Sequence, residues 1–223
     1  MTRSAVHHEL LRNQLNAALD GRRLLSHPFY QRWSNGEVSL DELRAYAGQY
    51  RHFEQALPGY LEAIAAVAPD EPRESVRRNL ADELGHGGVS HLDLFDQFAA
   101  AIDAPVPAPP TAATVQLLAT YRAAVDGGAA TGMAAVLAYE AQAPEVSESK
   151  AAGLRAHHGL DDAGVAFWDV HGEVDRDHAE WGLRCVADMT ADDRGTDVGA
   201  AMRAAADAWW AFLDERELAA TLN

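Results

Sequence analysis

The sequence predicts an all-α protein, and three observations support this fold class. Alanine, the residue with the highest helix propensity, makes up roughly a fifth of the 223 residues. Valine and isoleucine are sparse and rarely alternate with polar residues, so strands have little support. Apolar residues instead recur at the three- and four-residue spacing of amphipathic helices. We expect a helical bundle in which residues 1–223 form one domain.

In the first half of the chain, capping residues and glycines mark where helices begin and end. Ser39 and Glu42 have the spacing of a capping box, which opens a long helix. The glycines of segment 85–88 break a later helix, because glycine leaves the helical conformation easily. These signals place helices at about residues 4–19, 26–35, 39–68, 73–85 and 89–102.

The second half begins with the proline-rich stretch 104–110. We interpret it as a surface connection within the bundle, since either half alone has too few helices for a closed core. Thr111 caps the next helix and Gly127 ends it. The remaining helices are expected at about 111–127, 129–144 with a further piece to 157, 163–189 and 197–220.

The charge balance excludes several classes of partner. The 34 acidic and 18 basic residues give a net charge of −16, and Lys150 is the only lysine. Such an acidic chain repels nucleic acid and anionic membranes, so neither is expected to bind. No apolar run reaches the roughly 18 residues of a transmembrane helix, and the N-terminus lacks the apolar segment of a secretory signal. With one cysteine, Cys185, the chain is expected to be cytoplasmic.

Polar residues interrupt the apolar stripes of five predicted helices. Glu54 lies in the stripe of the first long helix, Glu83 and His91 lie on either side of the glycine-rich break, and Glu140 follows in the second half. On the late helix, three polar residues share one face within about 60° of arc: His171, Asp175 and His178. One such residue is commonly a cap or a salt-bridge partner, but four carboxylates and three histidines need another explanation.

A two-metal centre explains this set of residues. Burying four unpaired carboxylates would cost many kcal/mol, and too few basic residues lie on these stripes to neutralise them. Two divalent cations would balance the four charges, and carboxylates with imidazoles inside a helical bundle are typical of di-iron and di-manganese sites. The predicted ligands are Glu54, Glu83, His91, Glu140, His171, Asp175 and His178. Two alternatives stay open, Gln49 in place of Glu54 and His86 in place of His91.

These residues stand in motifs that resemble those of the heme-oxygenase-like diiron oxidases, which are related in fold to thiaminase II and pyrroloquinoline-quinone synthase. The resemblance covers about residues 27–189 and includes His27-Pro-Phe, Gln-Tyr-Arg-His-Phe-Glu at 49–54, Asn-Leu-Ala-Asp-Glu-Leu-Gly at 79–85, Ser-His-Leu-Asp-Leu-Phe at 90–95, Tyr-Glu-Ala-Gln-Ala-Pro at 139–144, and Phe-Trp-Asp-Val-His at 167–171. It implies a bundle of about seven to nine helices. It also implies that the same seven residues bind iron.

The resemblance implies an oxidase that uses two Fe(II) ions and dioxygen through a peroxo-bridged diferric species. His171 is an additional histidine that resembles the pattern of the N-oxygenating members, so oxidation of a nitrogen in a small amine, guanidine or amino-acid-like metabolite is expected. Oxidative C–C cleavage or desaturation of a small amino or fatty acid is the alternative. Electrons must come from an external donor, a reductase or the substrate itself, because no flavin or iron–sulfur motif is present. A homodimer is also expected.

Two other functions stay open. A metal-free enzyme of the thiaminase type would need a cysteine nucleophile, and only Cys185 is available. Because Cys185 lies on an apolar stripe, a buried structural thiol is the favoured interpretation. A non-catalytic helical binding protein is the third class, and neither of these two explains the buried acids.

Overall fold

The fold is a bundle of helices, and no strand is present in the part of the chain that the structure describes. The computed structural model describes residues 3–85, 88–106, 108–191 and 196–221, with side chains for all of these except 3, 4, 173–178, 220 and 221. The helices are α1 (Arg3–Leu19), α2 (Pro28–Asn35), α3 (Leu40–Val67), α4 (Asp70–Glu83), α5 (His91–Ala101), α6 (Ala112–Asp126), α7 (Ala129–Glu140), α8 (Ala143–His158), α9 (Asp162–Met189) and α10 (Val198–Thr221).

The described residues form ten α-helices, one more than the seven to nine that the resemblance implies, and the segment after Gly128 forms two helices, as expected. Helix α7 ends at Glu140 and α8 begins at Ala143, with Pro144 in its first turn. Proline has no N–H to continue the hydrogen-bond ladder of a preceding helix but suits a first helical turn. The all-α fold class predicted from the sequence is confirmed.

Side-chain caps fix the starts of several helices. At α3 the predicted capping box is present: Glu42 N–H donates to Ser39 Oγ (3.3 Å) and Ser39 N–H donates to Glu42 Oε2 (2.8 Å). At α5 the Asp93 N–H donates to Ser90 Oγ (3.1 Å). These bonds satisfy backbone N–H groups that have no partner within the helix, so they set where each helix begins.

Replacing Ser39 by alanine should lower the free energy of unfolding by about 1 kcal/mol, because the hydroxyl that accepts from Glu42 N–H is lost while the backbone N–H of residue 39 can still donate to Glu42. Urea denaturation measures this change. Aspartate at the same position can still accept from Glu42 N–H, so Ser39→Asp should stay close to the wild type. Equal stability of Ser39→Ala and the wild type would show that the box contributes nothing to the fold.

The helices pack so that the five elements carrying the predicted ligands are neighbours. Helix α9 packs against α4, α5, α7 and α8, and α3 packs against α4, α5, α6 and α7. Helix α10 covers the other side of α7 and also contacts α6 and α1. These five helices therefore lie together in one part of the bundle.

The proline-rich stretch lies against α3 through side-chain hydrogen bonds. Gln49 Nε2 donates to the Pro109 carbonyl oxygen (2.9 Å), and Gln49 Oε1 accepts from Thr111 N–H (2.9 Å) and from Thr114 Oγ1 (2.8 Å). Gln49 thus attaches the connection before α6 to the bundle. No helix of the described residues has the length and apolarity needed to cross a membrane.

Candidate metal centre

Five of the predicted ligands have described side chains, and all five are buried. Their exposed fractions lie between 3% and 6%, although each is ionisable: Glu54, Glu83, His91, Glu140 and His171. Ionisable side chains are rarely this buried unless they are paired or bind a metal. The stripes that placed these residues inside the bundle were therefore interpreted correctly.

Glu83, His91 and His171 form a compact cluster at the centre of this region. One ligand atom from each lies within 4.8 Å of the other two. Nδ1 of His91 is 3.1 Å from Oε2 of Glu83, and the His91 and His171 rings have centroids 4.3 Å apart. Two imidazoles and a carboxylate at these distances are close enough to contact a single metal ion.

A glycine turn brings Glu83 and His91 together, although eight positions separate them in the chain. Glu83 ends α4 and His91 begins α5. Between them, Gly85 has a φ of 68°, and a Cβ at this position would lie 2.5 Å from the backbone N of Ser90. Only glycine adopts this conformation in so little space, so it lets α5 turn back beside the end of α4.

His171 is oriented by its own helix. Its Nδ1 lies 2.8 Å from the carbonyl oxygen of Phe167, and because a carbonyl oxygen only accepts, Nδ1 carries the proton. Nε2 then keeps its lone pair, which is the form of imidazole that binds a metal. A backbone hydrogen bond of this kind is typical of metal-binding histidines, since it fixes both tautomer and ring orientation.

Glu140 and Glu54 are buried outside this 4.8 Å group. Glu140 Oε1 accepts a hydrogen bond from Asn79 Nδ2 (2.6 Å), so an amide on α4 fixes the carboxylate of α7. Glu54 lies near Tyr50 and Lys150, where its carboxylate raises the pKa of both groups, while burial has the larger effect on each. Both acids add negative charge to the buried interior.

The donor set fits iron. Imidazole and carboxylate ligands are the usual partners of nonheme iron in helical bundles, and the interior carries a surplus of buried carboxylates over described basic groups. Within the described side chains, Glu83, His91 and His171 form the group that could hold one ion. The side chains of Asp175 and His178 lie outside the described residues, although α9 passes through both positions.

The two alternative ligands have different outcomes. Gln49 is buried, but its amide bonds to Pro109, Thr111 and Thr114, so it belongs to the attachment of the proline-rich stretch. His86 lies outside the described residues.

The sequence analysis missed Lys150. Its side chain is 2% exposed, Nζ donates to the Tyr46 hydroxyl (2.7 Å), and Nζ lies 4.1 Å from the ring centroid of Trp168. Burial lowers the pKa of its ammonium group well below the usual range. Periodicity could have found it, because Lys150 stands between Val146 and Leu154 at the four-residue spacing of a buried stripe.

Cys185 is buried and Sγ lies 3.6 Å from the Pro72 carbonyl oxygen. Burial is the main reason that the pKa of its thiol is raised to about 12, with smaller effects from Asp188 and Glu140. A thiol with such a pKa is protonated at neutral pH and is a poor nucleophile. The structural role expected for Cys185 agrees with this environment, and the thiaminase-type alternative loses its only support.

Comparison with solved structures identifies the fold. A CadD-like protein of unknown function from Nostoc punctiforme superposes with a TM-score of 0.79 at 22% identity, covering 95% of this chain and 97% of that one. A domain with a heme oxygenase-like fold from Shewanella denitrificans gives a TM-score of 0.73 at 15% identity, covering 100% and 95%. At these identities the similarity establishes the heme oxygenase-like fold.

Comparison at the level of sequence identifies the family. A curated relative from Nitrosomonas europaea, named 4-aminobenzoate synthase, is 34% identical over 223 aligned positions, covering 91% of this chain and 89% of that protein. Residues 44–210 match the family described as iron-containing redox enzyme, and this range includes all seven predicted ligands. The chain is therefore an enzyme that belongs to the iron-containing redox enzyme family.

Proposed function

We propose that this enzyme is a nonheme diiron, O2-activating oxidase that oxidises a nitrogen of a small metabolite. The observation that carries the proposal is the buried cluster of Glu83, His91 and His171, with Glu54 and Glu140 beside it. A single ion needs fewer acids than the interior contains, so a second ion is the simplest way to balance the remaining carboxylates. Family membership supports iron as the metal.

The proposed ligand set is the seven residues predicted from the sequence: Glu54, Glu83, His91, Glu140, His171, Asp175 and His178. Two bound iron ions would supply the electrons and the Lewis acidity that dioxygen activation requires. The protein holds the ligands ready for them. Phe167 O fixes the His171 tautomer, Asn79 fixes Glu140, and the aromatic rings of Phe95 and Phe167 keep water away from this side of the cluster.

The names of the relatives support a substrate class. The Nitrosomonas europaea protein is named 4-aminobenzoate synthase, so an aromatic amine takes part in its reaction. We extend this to the present chain and propose that its substrate is a small amine related to 4-aminobenzoate, whose nitrogen is oxidised. Oxidative C–C cleavage or desaturation is the second candidate, and it applies if His171 is not a ligand.

The test begins with the metal-free protein loaded with Fe(II) under anaerobic conditions. We expect iron to approach two equivalents per chain, oxygen to be consumed on exposure to air, and an N-oxidised product of a small amine related to 4-aminobenzoate to be detected by mass spectrometry. Protein that binds no iron after loading would contradict the diiron proposal. Iron-dependent oxygen uptake without an N-oxidised product would support a diiron oxidase and exclude N-oxygenation.

His171 decides between the two reactions, so His171→Ala should separate iron binding from nitrogen oxidation. Six ligands remain, and we expect most of the iron to be retained while formation of the nitrogen product is lost. Iron analysis and product analysis on the same sample measure the two effects. His158→Ala is a suitable control, since it removes a histidine near the end of α8, outside the proposed ligand set. An active His171→Ala protein would contradict the ligand role.

The proposal includes partners and location. An external electron donor, a reductase or the substrate, is required because the sequence has no flavin or iron–sulfur motif.

A homodimer is supported by Val6 and Leu10, which are one turn apart on α1 and about half exposed. A cytoplasmic location is supported by the single buried cysteine. Sedimentation analysis of the intact protein tests the dimer.

A further inference from the structure

A small pocket lies between α4, α7 and α9, and its lining includes Asn79, the residue that donates to Glu140. The half-buried side chains of Ser75 and Trp181 form its outer part. The buried side chains of Val76 and Met133 form an apolar wall, and Asn79 lies at the inner end. The pocket has room for about one water-sized molecule.

Gly182 lines the pocket where α9 approaches α7 closely. A Cβ added to Gly182 would lie 3.1 Å from Cδ1 of Leu137 and 3.3 Å from Cε of Met133. A larger residue would therefore force Leu137 or Met133 to shift, and Met133 is part of the pocket wall. Glycine in the middle of a helix costs about 1 kcal/mol relative to alanine, so this close approach has an energetic cost.

Asn79 connects the pocket to the acids of the metal centre. It is 4% exposed, and it lies one helical turn before Glu83 on the same face of α4. Its Nδ2 donates to Glu140 Oε1, and because a carboxylate oxygen accepts, the amide has its nitrogen on this side. The other end of the amide, Oδ1, is buried and has no hydrogen-bond partner among the described residues.

The composition of the pocket favours a small apolar molecule over water. A buried water molecule is normally held by about two to four polar partners, whereas the inner end of this pocket offers one unpaired acceptor. Apolar gases bind in small cavities of this kind, because no hydrogen bond has to be replaced. Dioxygen is small and apolar, and the proposed reaction consumes it.

We propose that dioxygen reaches the candidate metal centre through this pocket, and that Asn79 at its inner end is a positioning residue that holds Glu140. The inference rests on the proposed function, because it needs a site that uses dioxygen. The pocket supplies access from the surface, and the amide at its inner end holds the carboxylate of Glu140.

The first test uses the metal-free protein with ¹³C-labelled methionine methyl groups. Dioxygen is paramagnetic, so it accelerates the relaxation of methyl groups that it contacts. We expect the Met133 methyl group to relax several-fold faster under oxygen than under nitrogen, with a much smaller change for Met202, which is buried in the core on α10. Equal changes at the two methyl groups would overturn the access route.

This measurement separates the inference from the proposed function. It needs no iron, so a silent Met133 in a protein that binds two equivalents of iron contradicts the pocket alone. Failure of the wild type to bind iron contradicts the proposed function, whatever the methyl groups report.

The second test closes the outer part of the pocket. In the iron-loaded protein, Ser75→Trp should slow oxidation by dioxygen roughly tenfold, as expected when access limits the rate, while Fe(II) stoichiometry is unchanged. Glu74→Trp adds the same ring at an exposed neighbouring position of α4 and should react at the wild-type rate. Equal rates for the two variants would exclude this pocket as the route.

The role of Asn79 is tested by Fe(II) titration. Asn79→Leu keeps the end of the pocket apolar and removes the bond to Glu140, so Fe(II) affinity should fall roughly 10- to 100-fold, the usual loss when a ligand loses its hydrogen-bonding partner. A purely structural residue would change the unfolding midpoint in urea and leave the affinity unaltered. Wild-type affinity in Asn79→Leu would contradict the positioning role.

Discussion

Replacement of Glu83 by glutamine is expected to remove iron from the site that contains His91 and His171 and to stop oxygen consumption. Glutamine has the shape of glutamate, but a neutral amide is a much weaker ligand than a carboxylate for iron. The Fe(II) affinity of Glu83→Gln should fall by more than the roughly 10- to 100-fold that is usual when a metal ligand loses only its hydrogen-bonding partner. Among the described residues Glu83 is the carboxylate that groups with both histidines, so we expect this substitution to have the largest effect on iron binding.

Iron analysis after anaerobic loading and oxygen uptake measure the effect of Glu83→Gln. Asp82→Asn is the matched control, because it makes the same change of charge at the exposed neighbouring position. The metal-free variant should be at least as stable as the wild type, since a buried negative charge has been removed. Two equivalents of iron in Glu83→Gln, or an equal loss in Asp82→Asn, would contradict the assignment of the cluster.

The helices and the burial of the ligands could be predicted because both depend on local patterns. Ser39 and Glu42 stand at the spacing of a capping box, and the structure has both bonds. Glu54 and Glu140 were placed inside the bundle by the 3.6-residue period, which reports the face of a helix that a residue occupies. Such a pattern needs no knowledge of the neighbouring helices.

Distances between helices could not be predicted, because periodicity gives a direction and no partner. Gln49 and Glu54 are both buried. Only the packing of the proline-rich stretch shows that Gln49 bonds to Pro109 and Thr111. Asn79 stood within a recognised motif, but its bond to Glu140 joins two helices that are distant in sequence. The compact group of three ligands likewise depends on the backbone turn at Gly85.

Lys150 was missed for a different reason. In a chain with an acidic surplus a single lysine is easily taken for a surface residue, since lysine is almost never fully buried. The structure places its amine among aromatic rings, with Tyr46 as hydrogen-bond acceptor. The energetic cost of this burial leads to the second prediction with a large effect.

Lys150→Met should stabilise the folded protein at neutral pH. The amine is costly to bury, and burial lowers the pKa of Lys150 well below the ordinary value of 10.5. Between the lowered pKa and 10.5, the unfolded chain binds a proton that the folded chain does not, so the wild type becomes more stable as pH rises through this window. At pH 7, burial of the uncharged amine lowers the free energy of unfolding by at most about 5 kcal/mol. This limit is the free energy that corresponds to the interval between pH 7 and the ordinary pKa of 10.5.

Methionine fills a similar volume and does not titrate. The gain in the free energy of unfolding that Lys150→Met brings should therefore be largest near neutral pH and vanish as pH approaches 10.5. Loss of the bond to Tyr46 offsets about 1 kcal/mol, and a net gain of roughly 1–4 kcal/mol is expected.

Urea denaturation of the metal-free protein from pH 7 to pH 10 measures both the gain and its dependence on pH. Arg155→Met removes a positive charge from the exposed face of the same helix and should change stability little at any of these pH values. If Lys150→Met is less stable than the wild type at pH 7, or its gain does not decline with pH, the amine is charged in the folded protein and its environment has been misjudged.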